Sequence, residues 1–247
     1  MKGFIAHSKA SKEVLKIATL SASLRVNCLI FGPKAVGKSH LAKVIAPDAK
    51  AYSALDLQEQ IRAKAVDLNT VNEVIILDIH KIDAVGQIVE FLENSNIKVV
   101  ATATKDKDIY SKYFQAKIEV LPLKDRLEDV EYLKQEYIKE AKRVFLIDEE
   151  ISQDIECDLS NNAISLKKSI FRSILFDSLT KSDIANILEN YLQKEIKSSS
   201  YKELLPIFEV PLLKAAQKEY KSQLQMAKHL EINRNTLRKK MIENEIN

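Results

Sequence analysis

At 247 residues the chain can bury a sizeable core spread over two or three subdomains, and a composition of 46% hydrophobic and 30% charged residues with few Gly and Pro favours helix. No apolar run approaches the length of a membrane helix, the Met1-Lys-Gly-Phe4 start lacks a long apolar signal core, and Cys28 and Cys157 have no CxxC spacing; membrane-spanning and secreted classes are set aside for a reduced, cytoplasmic protein. The net charge of +3 is unevenly placed: residues 201–247 carry nine basic and six acidic side chains, while the rest of the chain balances at 29 of each, so any polyanion contact belongs to the tail.

The first periodic segment is a helix over residues 11–24, with Val14, Ile17, Ala18 and Leu24 as its apolar side and Ser11 followed by Glu13 as its start. A short buried strand follows at Asn27–Phe31, ended by Gly32-Pro33. A helix then runs from Lys38 to Ile45 and stops near Pro47. Helical stretches at Leu55–Val66 and Ala84–Glu93 alternate with strands at Val74–Leu77 and Ile97–Ala101, and a further strand is read at Lys117–Leu121. Continuous β-branched runs alternating with helices predict a parallel sheet covered on both faces. After Pro122 the strands stop. Residues 124–196 read as helices, with Leu127, Val130, Leu133, Tyr137 and Ile138 on one stripe and further segments near 163–178 and 182–195. Ser198-Ser-Ser200 is a short linker, and a last helical unit follows it. The predicted organisation is an α/β domain over 1–122, a helical lid over 123–197 and a C-terminal all-α unit over 201–247.

The turn after the first strand, Gly32-Pro33-Lys34-Ala35-Val36-Gly37-Lys38-Ser39, has the spacing G-x-x-x-x-G-K-[ST] between a strand and a helix, the setting this pattern requires. Glycines at 32 and 37 let backbone amides curl round phosphate oxygens, Lys38 reaches the terminal phosphates, and Ser39 offers a hydroxyl to Mg²⁺. His40 follows in the first turn of the helix, whose positive end faces the ligand. Asp78 closes the strand Val74–Leu77 as a metal-side aspartate, Thr102 and Thr104 after the next strand are in reach of a γ-phosphate, and the expected ligand is ATP or ADP with Mg²⁺. Ile79 stands where an ATPase of this kind carries a glutamate to orient water; His80 and Asp83 are the nearby alternatives, and both also read as surface polar residues. No residue is assigned a catalytic role. The histidines show no metal-ligand spacing, and no nucleophile–base pair stands out.

In the tail, Ser222–Ile242 holds two short amphipathic segments about a turn. The second presents Asn233, Arg234, Asn235, Thr236, Arg238, Lys239 and Lys240 around the apolar Leu237, which suits a helix entering the major groove of double-stranded DNA. Arg238 is placed for a bidentate guanine contact and Lys239 and Lys240 for phosphates. Ala227 is small enough for two helices to touch over a core of Leu224, Leu230, Ile232 and Leu237. Glu231 occupies the turn. The apolar content of 203–220, with Leu204, Leu205, Ile207, Phe208, Val210, Leu212, Leu213 and Ala216, points to a homodimer through that segment, the other reading being that it docks on the chain's own lid.

These residues carry a resemblance. Ser8–Ala46, with its Asn27-Cys-Leu-Ile-Phe-Gly-Pro-Lys-Ala-Val-Gly-Lys-Ser39 core, resembles the start of the AAA+ domain of NtrC-type bacterial enhancer-binding regulators. Val120-Leu-Pro-Leu-Lys-Asp-Arg-Leu-Glu-Asp-Val130 is similar to the L-P-P-L-R-E-R-x-E-D-I segment that joins sheet to lid in that family, and Leu188-Glu-Asn190 to its second sensor helix. The tail, from Phe208-Glu-Val-Pro-Leu-Leu213 through Ile232-Asn-Arg-Asn-Thr-Leu-Arg-Lys-Lys240, is similar to the Fis-type domain that ends many of these regulators.

Five departures shape what the resemblance implies. The 38 residues between Ser39 and Asp78 contain no G-A-F-T-G-A loop, the family's grip on its sigma factor. Its two trans-acting arginines fall on Asp106 and Lys112, its second-sensor arginine falls at or near Asn186, and the glutamate after Asp78 is missing. Fis-type domains usually have Gly where this chain has Glu231. The resemblance therefore implies a degenerate member: a nucleotide-binding, sequence-specific DNA-binding transcription regulator with weak or absent ATPase activity and no sigma-factor contact. An active DNA-associated AAA+ ATPase, used in remodelling or replication, is the alternative.

Overall fold

The structure is a computed structural model that describes residues 3–63, 71–148, 151 and 154–246. The chain divides into two compact units, Met1–Ser178 and Leu179–Asn247.

The first unit is built on five parallel strands: β1 (Cys28–Phe31), β2 (Lys50–Ser53), β3 (Glu73–Leu77), β4 (Lys98–Ala103) and β5 (Ala116–Glu119), in the order β2-β3-β4-β1-β5. The period-2 alternation of the strands splits their side chains between two cores. Leu29, Val74, Ile76, Val99 and Ala101 meet α3 (Ala54–Arg62) and α4 (Val85–Asn94) on one face, with Tyr110 from α5 (Asp108–Ser111). Cys28, Ile30, Ile75, Val100 and Ile118 meet α1 (Lys9–Ala22) and α2 (Lys38–Ile45) on the other. Each fully buried Ile or Leu in these layers contributes roughly 1.5–3 kcal/mol relative to exposure.

The expected strands and α2 are present, and β2 was missed: Lys-Ala-Tyr-Ser is short and half polar because it is an edge strand with only Tyr52 buried. The stretch read as a helix to Val66 ends at Arg62, and its last residues lie outside those described. In α1 the cap is Ser8, which accepts from Ser11 N, and the buried face is Ser11, Ala18 and Ser21 beside Val14 and Leu15. Ile17, expected inside, is exposed because the inner face runs through the small residues that let α1 lie close to α2; Leu24, also expected inside, is exposed beyond the end of α1 at Ala22.

After the sheet, α6 (Leu127–Phe145) packs on α7 (Asn162–Ser178) around Val130, Leu133, Tyr137, Ile138, Leu166, Ile170 and Ile174. Leu127, placed on that stripe by sequence, is exposed: it is the first residue of α6, ahead of the turn that meets α7.

The second unit holds α8 (Lys181–Glu195), α9 (Tyr201–Leu204), α10 (Pro206–Glu219), α11 (Gln223–His229) and α12 (Arg234–Glu243). The sequence reading placed α8 with the lid; here it groups with the C-terminal helices, and none of its residues is buried. Leu213, Ala216, Met226, Ala227, Leu237 and Met241 form the core beneath α10–α12, with Leu230 and Ile232 at its edge. Leu224, expected in that core, is exposed on the first turn of α11, while Met226 fills the inner position. No helix among the described residues is long and apolar enough to cross a membrane.

Candidate nucleotide site and C-terminal helices

The connection from β1 runs through α2 to β2 at one edge, and the connection from β4 runs through α5 to β5 at the other, although β1 and β4 are neighbours. Their carboxyl ends therefore open a crevice at the point where the chain turns opposite ways, the usual place for a ligand in a parallel sheet. A cavity of about 560 Å³ lies in the first unit at that point. Residues 34–40, Asp78, Lys81, Thr102 and Arg126 form its polar part, and Phe4, Ile5, Leu123, Leu133, Tyr137 and Ala163 are among its apolar lining. That size and mixture suit a small organic anion with an apolar end.

The loop from Gly32 to Gly37 is held open from outside. Lys34 O accepts from Asn162 Nδ2 at 2.9 Å, Ala35 O from Ala163 N at 3.2 Å, and Val36 O from Arg126 Nη2 at 3.0 Å. These peptides are trans, so each carbonyl turned outward aims the next amide, of Ala35, Val36 and Gly37, the opposite way. None of those three amides has a hydrogen-bond partner among the described residues. The result is a cluster of free donors at the start of α2, the arrangement that binds anions. Asn162 is itself fixed, since its Oδ1 accepts from Leu123 N at 2.8 Å. Neither Asn162 nor Arg126 was singled out in the sequence, because both act from the lid side through backbone carbonyls.

Gly32 has φ +148 and a Cβ there would stand 2.2 Å from Val120 O, so glycine is required by the contact with the chain leaving β5. Gly37 caps α2 with φ +99 beneath the Phe4 ring. Lys38 is buried, and its ammonium donates to Gly32 O at 2.8 Å and Pro33 O at 2.5 Å. Burial lowers its pKa from the ordinary lysine value, the charge of Asp78 opposes that shift, and Lys34 adds to it. Ser39 and His40 are exposed at the first turn of α2.

Asp78 follows β3 in the left-handed conformation, φ 59, and its amide donates to Thr102 Oγ1 at 3.0 Å. Thr102 is thus tied to the strand end, while Thr104 is not among the residues lining the cavity. Asp78 Oδ2 lies 2.7 Å from Lys81 Nζ. Burial alone would raise the Asp78 carboxyl; the Lys81 hydrogen bond and the charges of Lys81, His80 and Lys38 outweigh it and hold the pKa low. Ile79 is fully buried in the sheet core, so the position after Asp78 has no group to orient water. His80 and Asp83 do not line the cavity, and Nδ1 of His80 is buried with no partner among the described residues. Asp106 pairs with Lys117 at 3.5 Å, Lys112 covers the Tyr113 ring, and Asn186 lies in the second unit on α8.

In the second unit, α11 and α12 are joined by a tight turn in which Glu231 has φ 51 and Ile232 N donates to Ala227 O at 3.1 Å. Asn233 caps α12, accepting from Asn235 N at 2.8 Å. Leu237 and Met241 face the core, which leaves Arg234, Asn235, Thr236, Arg238 and Lys239 exposed on the outer side. Lys240 is half-buried and donates to Glu209 of α10.

The five-stranded parallel sheet with helices on both faces, the glycine-framed loop after β1 and the helical pair that follows form an α/β fold. Among solved structures the chain is similar to NtrX from Brucella abortus. The complex with ADP aligns over 99% of this chain and 69% of that one, with TM-score 0.60 and 15% identity. The complex with ATP aligns over 97% and 68%, with TM-score 0.58 and 15% identity. At this identity the likeness is one of fold. No protein-family description matches the chain, and no curated protein matches it.

Proposed function

We propose that this protein is a nucleotide-binding, sequence-specific DNA-binding regulator of transcription whose Fis-type C-terminal helices read double-stranded DNA. The observation that carries the nucleotide half is the row of three lid-bonded loop carbonyls, which leaves the amides of residues 35–37 free beside Lys38. ATP or ADP would place its phosphates on the loop Gly32, Pro33, Lys34, Ala35, Val36, Gly37 and Lys38, with Ser39, His40, Asp78 and Thr102 around them and Thr104 outside the cavity lining. NtrX, similar in fold, was crystallised with both nucleotides. Ser39 and Asp78 are the side chains that would face a magnesium ion, and the donor set fits one only once Lys81 has left the Asp78 carboxylate. With Ile79 buried where a water-orienting carboxylate would stand, hydrolysis is weak or absent and the nucleotide acts as a conformational ligand.

The DNA half rests on the exposed row Arg234, Asn235, Thr236, Arg238 and Lys239 along a helix whose opposite side is packed on α11. Such a helix can present base-reading and phosphate-binding groups to a major groove without disturbing its own core. Tyr201, Phe208 and Leu212 expose apolar surface along α9–α10, which favours pairing of two copies through that segment. A dimer would set two reading helices about 34 Å apart on a pseudo-palindromic site.

Fluorescence anisotropy with labelled random and genomic duplexes tests this reading. Wild type binds a subset of genomic fragments well above random duplex, and Arg238→Ala removes that preference. Equal binding of all duplexes, or an Arg238→Ala variant with undiminished selectivity, would sink the proposal.

A further inference from the structure

Lys81 is a cation in the cavity with no part in the phosphate-loop pattern. It ends a single 3-10 turn that starts at Asp78, and Lys81 N donates back to Asp78 O at 2.9 Å. That turn is fixed at both sides: Asp78 N bonds Thr102 Oγ1, and the intervening Ile79 is sealed in the sheet core. Lys81 is therefore held close to Asp78, with its ammonium 2.7 Å from Oδ2, and both side chains line the cavity with Lys38.

The charges around this pair decide what the cavity can hold. Two carboxylates line it among the described residues, Asp78 and Asp129. Asp129 is fully buried, and its oxygens are taken by His7 N, Ser8 N, Ser8 Oγ, Ser11 Oγ and Arg126 Nη1. Asp78 is held by Lys81 at Oδ2. The carboxylate oxygen left to a divalent ion is Asp78 Oδ1, beside the Lys81 ammonium on Oδ2, while Lys34, Lys38, Lys81 and Arg126 line the cavity as cations. Magnesium at a phosphate site usually takes one or two carboxylates in addition to the phosphates, and here it would share a single carboxylate with the Lys81 ammonium, against the repulsion of that charge.

We infer that Lys81 stands in for the metal: beside Lys38, it supplies the second positive charge to the terminal phosphates of a nucleoside di- or triphosphate, and binding needs no divalent ion. This rests on the nucleotide reading above and goes beyond it in dispensing with magnesium. A lysine suits the task, being a compact point charge on a flexible stem that can swing from carboxylate to phosphate.

Calorimetric titration of the full-length protein with ADP and with ATP, each in excess EDTA and in excess magnesium, tests the inference. Wild type binds with affinities that agree within about threefold between the two buffers. Lys81→Ala weakens binding in EDTA by about tenfold or more and regains part of it in magnesium, because Asp78 is then free for the ion. The side chain is half exposed, so the substitution leaves the core intact. Wild-type affinity that drops about tenfold on removing magnesium overturns the inference, as does a Lys81→Ala protein that binds like wild type in EDTA. Those results leave the nucleotide reading standing. Wild type that takes up neither nucleotide in either buffer overturns that reading and this inference together.

Discussion

Arg126 and Asp129 form an ion pair at 3.3 Å across one turn at the start of α6, with their side chains 3% and 1% exposed. Asp129 holds the entry to α1 through the amides of His7 and Ser8 and the hydroxyls of Ser8 and Ser11, while Arg126 reaches Val36 O in the phosphate loop. The pair thus ties the first helix, the loop and the lid at one buried point. Removing one member of such a pair leaves the other charged, buried and unmatched, and Asp129→Ala is expected to cost about 3–5 kcal/mol. Urea unfolding of wild type and variant reads this directly, and a loss comparable with that of a surface pair would contradict it.

The same carboxylate gives a pH dependence. Burial raises its pKa, but the Ser11 hydroxyl, the Ser8 and His7 amides and the Arg126 charge outweigh burial and set the net shift downward. A carboxylate whose folded pKa is depressed contributes stability that is full above its unfolded value and lost as pH falls through the folded one. The gap between wild type and Asp129→Ala should therefore be widest near neutral pH and close in acid. A gap that grows on acidification would show that the carboxylate is not the stabilising form.

Gly32 offers a test of the loop. An alanine there would adopt φ +148 and drive its Cβ to 2.2 Å from Val120 O, a backbone atom that cannot swing aside. The backbone conformation alone is worth on the order of 1–3 kcal/mol, and relief of the clash must pull the loop away from β5. Gly32→Ala should lower the unfolding midpoint and weaken nucleotide binding together. Unchanged binding in a folded variant would mean that the loop does not position the phosphates.

Much of this was legible in the sequence, for reasons that can be read residue by residue. Buried strands such as Val74–Leu77 announce themselves as unbroken β-branched runs, and the phosphate loop by glycines whose φ values, +148 and +99, other residues avoid. Position-specific burial was harder. Ile17, Leu127 and Leu224 are apolar at helical spacing yet exposed, because which side of a helix faces inward is set by the neighbour it meets. Three contacts around the cavity were out of reach for a different reason. Asn162, Arg126 and Lys81 act on residues through the fold or through a turn, and nothing in their local pattern signals the partner.

The α9–α10 surface makes an oligomer prediction. Tyr201, Phe208 and Leu212 are 76%, 59% and 39% exposed, while Leu213 and Ala216 behind them are buried. If two copies pair through this face, Phe208→Glu places a charge in an apolar contact and should raise the dimer dissociation constant by at least about a hundredfold. Sedimentation equilibrium of the full chain resolves monomer from dimer. A wild type that is monomeric at all accessible concentrations would remove this face as the pairing surface.

Lys239 and Lys240 of α12, both proposed as DNA contacts, are predicted to differ. Lys239 is exposed, with only a 3.8 Å surface contact to Glu243, whereas Lys240 donates to Glu209 and is half-buried. A phosphate contact releases a counterion, so Lys239→Ala should reduce the slope of log affinity against log salt by about one. Lys240→Ala should change that slope less, and should loosen α12 on α10 instead. Identical slopes for the two variants would mean that Lys240 leaves Glu209 when DNA arrives.

Glu231 closes the turn between α11 and α12 at φ 51, a region that side chains with a Cβ enter at a cost. Ile232 N reaches back to Ala227 O, so the turn cannot relax toward φ below zero without losing that bond and shifting the start of α12. Glycine meets no such cost there, and Glu231→Gly is expected to stabilise the helix pair by about 0.5–1 kcal/mol after allowing for the greater freedom of glycine in the unfolded chain. Because the turn keeps its geometry, DNA affinity should stay within about twofold of wild type. Native-state hydrogen exchange on the full chain reports the local effect: amides of α11 and α12 should exchange up to about fivefold more slowly, with those of the sheet unchanged. Faster exchange in α11 and α12 would show that the glutamate side chain makes a favourable contact worth more than the strain it imposes.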